Sequence, residues 1–258
     1  MLLEGQVAVV SGIGPGMGRD ISLTLAGAGA DLVLAARSKP ALASVASEVQ
    51  ALGRRVAFVQ ADVTDPASCA VVAAAATRLG GASVLVNNAF AEEDWHTFEG
   101  FDPERWRLPF DVNVHGTLQL TQVLTPQLID SGRGSVVTIS TLSTRVINPV
   151  LGGYSASKRA LETACRVVAK ELGPKGVRVN CVAPGHIWGK SLETYFAFLA
   201  AQRGVTPQDV YDEIAARTAL NKIPTSEEIS RAVLFFASDL SRVITGQTLD
   251  VNCGRTLH

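Results

Sequence analysis

Seven short apolar runs, most of them separated by stretches long enough for a helix, constrain this chain more than any other feature. They lie at residues 7–11, 31–35, 56–60, 84–86, 135–139, 178–182 and 248–251. Val, Leu and Ala fill them without polar alternation, as expected of parallel strands covered on both faces. Helical patterns fall between them, near 17–28, 40–52, 66–79, 103–130, 155–172 and 226–238. This alternation predicts an α/β fold: a single-domain, doubly wound, Rossmann-like parallel sheet with helices on both faces. At 258 residues, 47% of them hydrophobic, the chain supports one large core. One stretch breaks the rhythm. Residues 186–222, mostly helical in pattern, are inserted at the edge where such folds bind ligands, and they read as a helical lid over a substrate.

The first strand runs into "SGIGPGMGRD", with glycine at 12, 14, 16 and 18. A Gly-rich turn from a buried strand into a helix lets backbone approach a phosphate at the helix N-terminus. The GxGxxG fingerprint is absent, because Met17 stands where its third glycine belongs after Gly12 and Gly14. The spacing of Gly12, Gly16 and Gly18 is GxxxGxG, in the strand–turn–helix context that a phosphate turn needs. Gly12, Gly14, Gly16, Met17 and Gly18 are therefore the candidate phosphate loop. The second strand ends in "LAARS". An NAD site presents an acid there to hold the ribose 2′-hydroxyl, but here Ala36 is neutral and Arg37 is cationic. Arg37 suits a 2′-phosphate, which favours NADP, with NAD as the alternative if Arg37 only stacks on adenine.

Several function classes fall away on composition. Net charge is −1 with both signs interspersed, so no nucleic-acid or acidic-membrane surface is expected. No apolar run approaches membrane-spanning length, and the chain reaches Glu4 and a strand without signal-peptide features. Cys69, Cys165, Cys181 and Cys253 show no CxxC spacing, which points to free thiols in a reducing cytoplasm. His96, His115, His186 and His258 are equally scattered, and no metal site is expected.

"YSASK" sets Tyr154 and Lys158 four residues apart at the start of a helical pattern, hence on one face. A phenol titrates near ~10 in water and is a poor base at neutral pH. A nearby lysine cation should favour the phenolate and lower that value.

With these motifs the chain resembles the classical short-chain dehydrogenase/reductase family nearly end to end. "SGIGPGMG" matches the family's TGxxxGxG, followed in order by "ADV" at 61–63, "NNA" at 87–89 and "VNV" at 112–114. "YSASK", "RVNCVAPG" at 178–185 and "GQTLDVNCG" at 246–254 complete the set. The resemblance implies that Tyr154 is the general acid/base, moving a proton at the substrate oxygen as hydride moves at the nicotinamide. It implies that Lys158 binds the nicotinamide ribose and depresses the tyrosine pKa, and that Asn113 holds a water relaying protons from Lys158. Asp62 and Val63 would contact adenine, Asn87, Asn88 and Ala89 would close the cofactor cleft, and Ile187, after Pro184 and Gly185, would meet the carboxamide. It also implies a homo-oligomer, a dimer or a tetramer.

Three departures from the family pattern bear on activity. The catalytic serine position, thirteen residues before the tyrosine, is Thr141, which keeps the hydroxyl but stiffens χ1. Ser140 or Ser143 could take its place in a shifted loop, with Ser143 the preferred substitute. Phe90 stands where "NNAG" has glycine, and Gly189 stands where PGxxxT has threonine. Candidate substrate walls come from 90–101, 145–153 and 186–223. They carry Phe90, Trp95, Phe98, Val150, Leu151, Ile187, Trp188, Leu192, Tyr195, Phe196 and Phe198, with His96, His186 and Arg145 as polar anchors. Such a lining favours an apolar secondary alcohol or ketone, cyclic ones included. The competing reading is an NAD(P)-binding scaffold or redox sensor with little turnover. Tyr154, Lys158 and Asn113 together argue against it.

Overall fold

The computed structural model describes residues 1–92 and 95–257. Seven parallel strands form one sheet: β1 (Val7–Ser11), β2 (Asp31–Ala36), β3 (Val56–Gln60), β4 (Val84–Asn87), β5 (Ser135–Ile139), β6 (Arg178–Pro184) and β7 (Thr248–Val251). Their order is β3-β2-β1-β4-β5-β6-β7, so the winding reverses between β1 and β4. A crevice opens beyond the C-terminal strand ends at such a reversal. Register aligns Ser11 of β1 with Ala35 of β2 and with Asn87 of β4, which brings the Gly-rich turn, the Arg37 segment and "NNA" to one edge.

The main helices are α1 (Met17–Gly27), α2 (Lys39–Ala51), α3 (Pro66–Leu79), α4 (Pro103–Phe110), α5 (Thr117–Asp130) and α6 (Gly152–Leu172). Two lid helices, α7 (Lys190–Arg203) and α8 (Pro207–Ala215), precede α9 (Ser226–Ala237). Side-chain caps fix several starts: Ser38 accepts from Ala41 N–H, Asp65 from Ala67 and Ser68, and Thr225 forms a reciprocal capping box with Glu228. Alternate strand residues feed opposite layers. Val7 and Val9 pack with Leu120, Leu124 and Leu161, whereas Ala8 and Val10 pack with Ile21, Leu25, Val233 and Phe236. Burial on both faces accounts for strands without polar alternation.

The expected helix at 103–130 is interrupted. Asp111–Gly116 forms a π-helical turn between α4 and α5. An added residue of this kind is often found at functional sites, and it leaves no mark on a 3.6-residue apolar pattern. The lid has a small core of its own, in which Phe196, Ala200, Val210, Ala215 and Ile223 are buried against Trp188, Leu192 and Tyr211.

Candidate active site

The cleft at the β1–β4 reversal encloses about 590 Å³ and is lined by Gly12, Ile13, Gly14, Ala36, Arg37, Asp62, Val63, Asn88, Ala89 and Phe90, among others. Two glycines make the turn possible. Gly12 has φ +80°, and a Cβ on it would enter the Ala89 backbone; a Cβ on Gly18 would run into the Gly12 carbonyl. Asn88 seals this approach by donating its amide to the Gly12 oxygen at 2.7 Å. Gly14 and Gly16 instead face open space. No side chain caps the start of α1, where Gly16 is the N-cap and Met17 the first helical residue. Open space, uncapped N–H groups and a helix N-terminus together fit a dinucleotide pyrophosphate.

Asp62 and Val63 line the other end of the cleft. Thr64 N–H and hydroxyl both donate to the Asp62 carboxylate, and these bonds, with the Arg37 charge as a smaller contribution, hold its pKa below the usual range. Arg37 is exposed at the end of β2. Pro184 and Gly185 lie at the end of β6, and Ile187 just beyond packs partly against the core. These three, with Gly16, Met17, Gly18, Tyr154 and Lys158, are not among the residues lining the 590 Å³ cleft.

Tyr154 and Lys158 sit in the first two turns of α6, which begins three residues earlier than the sequence pattern suggests. Thr141, the N-cap of the 3₁₀ turn Leu142–Thr144, hydrogen-bonds the Tyr154 phenol through its side chain. Ser143 bonds Thr141 instead: its N–H donates to Thr141 Oγ1 at 3.2 Å. Phe90 meets the Tyr154 ring edge-on, with centroids 6.4 Å apart. Lys158 is 2% exposed, and its Nζ lies 5.9 Å from the tyrosine ring centroid and donates to the Ile139 carbonyl at 2.8 Å.

The structure shifts the phenol pKa opposite to the expected lowering. Desolvation pushes Tyr154 up to about 12, with the Glu92 charge adding to the rise and the Thr141 bond opposing it. Burial also lowers Lys158 to about 8, so the lysine has itself lost much of its preference for the charged form. Spacing on a helix put the two groups side by side, but the cost of enclosing them dominates. The sign of the effect on stability follows. From about 8 to the ordinary 10.5, unfolded chains hold a proton on Lys158 that the folded protein has released. Stability should therefore rise with pH across this interval, before the raised Tyr154 value acts oppositely above 10. Urea unfolding of the wild type and Lys158→Met from pH 7.5 to 10 tests this: the wild type should gain on the variant, and parallel curves would refute it.

Other expected roles change. Asn113, buried in the π-helical turn, accepts from Ala91 N–H at 2.9 Å and donates to Ala91 O at 2.8 Å and to Ser157 Oγ at 2.9 Å. Its side chain thus fastens the segment after β4 to α6. Arg145 is no substrate anchor, because it is tied to Glu162 at 2.9 Å and Asp250 at 2.8 Å. His96 bonds Arg105 and borders a separate cavity of about 160 Å³ with Phe98, Phe101 and Trp106. His186 has its pKa lowered by partial burial and by Arg255 and Arg217. Phe196, 1% exposed, packs the lid, whereas Phe198 and Trp95 stay exposed, the latter against Tyr195. Glu93, Asp94 and His258, which fall within the expected wall 90–101 and the histidine set, lie outside the described residues.

Among the described residues no group of three His, Cys, Asp or Glu could hold a metal ion, and no helix is long and apolar enough to cross a membrane. Residues 12–256 match a family model described as enoyl-(acyl carrier protein) reductase. The chain is 35% identical over 254 residues to an uncharacterized oxidoreductase of Methylorubrum extorquens, covering 98% of both chains. Among solved structures it resembles carveol dehydrogenase from Mycobacterium avium in complex with NAD, with a TM-score of 0.91, 29% identity and 98% of each chain covered. L-Sorbose reductase from Gluconobacter frateurii, complexed with NADPH and L-sorbose, aligns with a TM-score of 0.92 and 26% identity over the whole of both chains.

Proposed function

Because the chain belongs to the classical short-chain dehydrogenase/reductase family, we propose that it is an oxidoreductase using NADP in preference to NAD on an apolar secondary alcohol or ketone. The observation that carries this reading is the Tyr154 phenol, hydrogen-bonded by Thr141 and met edge-on by the ring of Phe90, a residue that lines the cleft. A bound nicotinamide would supply or accept the hydride. The protein does the rest. A phenol held protonated up to about 12 is in the form that delivers a proton to a ketone oxygen, and Thr141 would donate a second hydrogen bond to that oxygen. In the alcohol direction the Tyr154 phenolate would take the hydroxyl proton and become the phenol, and a cationic Lys158 near the ring would favour the phenolate from which this direction starts. Gly14, Gly16 and the start of α1 would hold the pyrophosphate, Asp62 and Val63 the adenine, and Lys158 the nicotinamide ribose. Phe90, Trp95 and Tyr195 leave an apolar surround for the substrate.

Preference for NADP rests on Arg37, a cation at the end of β2 where an acid would repel a 2′-phosphate. Measuring kcat/KM for both cofactors over a panel of cyclic alcohols and ketones tests both parts of the reading. NADP should be the better cofactor, and Arg37→Asp should reverse the order mainly through cofactor KM, with a preference that weakens in salt. A wild-type preference for NAD would make Arg37 a stacking residue. Tight cofactor binding without turnover on any panel member would favour the scaffold reading.

A further inference from the structure

Glu162 is the most enclosed carboxylate near the site, with 1% of its side chain exposed. It lies on α6 two turns beyond Tyr154 and one beyond Lys158, and the four-residue spacing puts all three on one helix face. A single oxygen, Oε1, accepts three bonds from the segment that follows β5: Ser140 Oγ at 2.6 Å, Thr144 Oγ1 at 3.2 Å and Arg145 Nη1 at 2.9 Å. Arg159, one turn back on α6, bonds Oε2 at 3.0 Å. Arg145 extends the array to Asp250 on β7. Ser140 and Thr144 bracket Thr141, and the single Thr144 hydroxyl proton is shared between Glu162 Oε1 and the Thr141 carbonyl, which lies at 2.9 Å. The strap bearing the Thr141 hydroxyl is thus held at both ends by a group on the helix that bears the phenol it bonds.

We infer that Glu162 is a positioning residue of the reaction: its carboxylate clamps residues 140–145 onto α6 and so sets the Thr141 hydroxyl against Tyr154. The inference rests on the acid/base reading of Tyr154 given above. Ionised, the carboxylate makes charge-assisted bonds that a neutral amide cannot match, and Arg145 and Arg159 would be left facing an uncharged partner. Small displacements of a reacting group are costly to rate while leaving distant binding contacts intact.

The test is a double-mutant cycle. Glu162→Gln should lower kcat by about tenfold or more while cofactor KM stays within about twofold, because the clamp touches the strap and not the nucleotide cleft. In a Thr141→Val background the same substitution should cost less than about twofold further, since the hydroxyl it positions is gone. Ser140→Ala, which leaves every charge paired, should show a smaller loss with the same non-additivity, and it decides the matter if Glu162→Gln fails to fold. Equal losses in both backgrounds would make Glu162 merely structural and overturn the inference, as would full kcat in both variants or a silent Thr141→Val. Failure of the underlying reading looks different: it is Tyr154→Phe retaining turnover.

Discussion

Replacing Tyr154 with phenylalanine should reduce kcat by about 10²- to 10⁴-fold and leave cofactor affinity nearly unchanged. The ring would keep its edge-on contact with Phe90 and its place in the first turn of α6, so the loss falls on the proton and not on packing. The deleted hydroxyl is the one bonded by Thr141, and Tyr154 is not among the residues lining the 590 Å³ cleft. A mutation that lowers kcat and kcat/KM alike, with cofactor binding preserved, has removed an interaction made at the transition state. Cofactor titration by fluorescence alongside steady-state rates separates the two quantities. Retention of most of the wild-type kcat would remove Tyr154 from the acid/base role.

Thr141→Val should reduce kcat/KM by about 10²-fold, the usual cost of losing one hydrogen-bond donor to a developing oxyanion. Valine nearly preserves the volume of threonine, and the side chain is buried, so a change in activity reports the hydroxyl. Ser143→Ala is the control. Ser143 lies two residues on and its N–H bonds Thr141, so its substitution should matter far less. If instead Ser143→Ala cripples the enzyme and Thr141→Val is silent, the two hydroxyls have exchanged roles.

The strands were legible almost to the residue because burial on both faces leaves an unbroken apolar signature, as in "VAVVS" and "SVVTI". The glycine turn was legible because a positive φ at Gly12 and the tight approach at Gly18 admit no side chain. What escaped was long-range or geometric. The π-helical turn adds one residue to a helix whose apolar rows continue on either side. Sequence alone offers Arg145 as a polar anchor because its partners, Glu162 and Asp250, belong to α6 and β7 and meet it only in the fold. Asn113 carried the right motif, but its hydrogen bonds to Ala91 depend on how the segment after β4 returns across α6. Four-residue spacing reports the proximity of Tyr154 to Lys158 and says nothing about the lost solvent that raises the phenol pKa.

The lid's private core has an evolutionary consequence. Phe196, Ala200, Val210, Ala215 and Ile223 close on one another and on Trp188, rather than joining the two layers that sandwich the sheet. Substitutions in well-separated groups of contacts act on stability nearly independently. Changes on the exposed side of α7, where Tyr195 and Phe198 lie, therefore make no demand on the packing beneath β1 or β5. Mutations can accumulate there, and substrate range can drift, while the nucleotide cleft and the Tyr154–Lys158 pair are inherited intact. Modularity of this kind gives one scaffold room to diversify at a single edge.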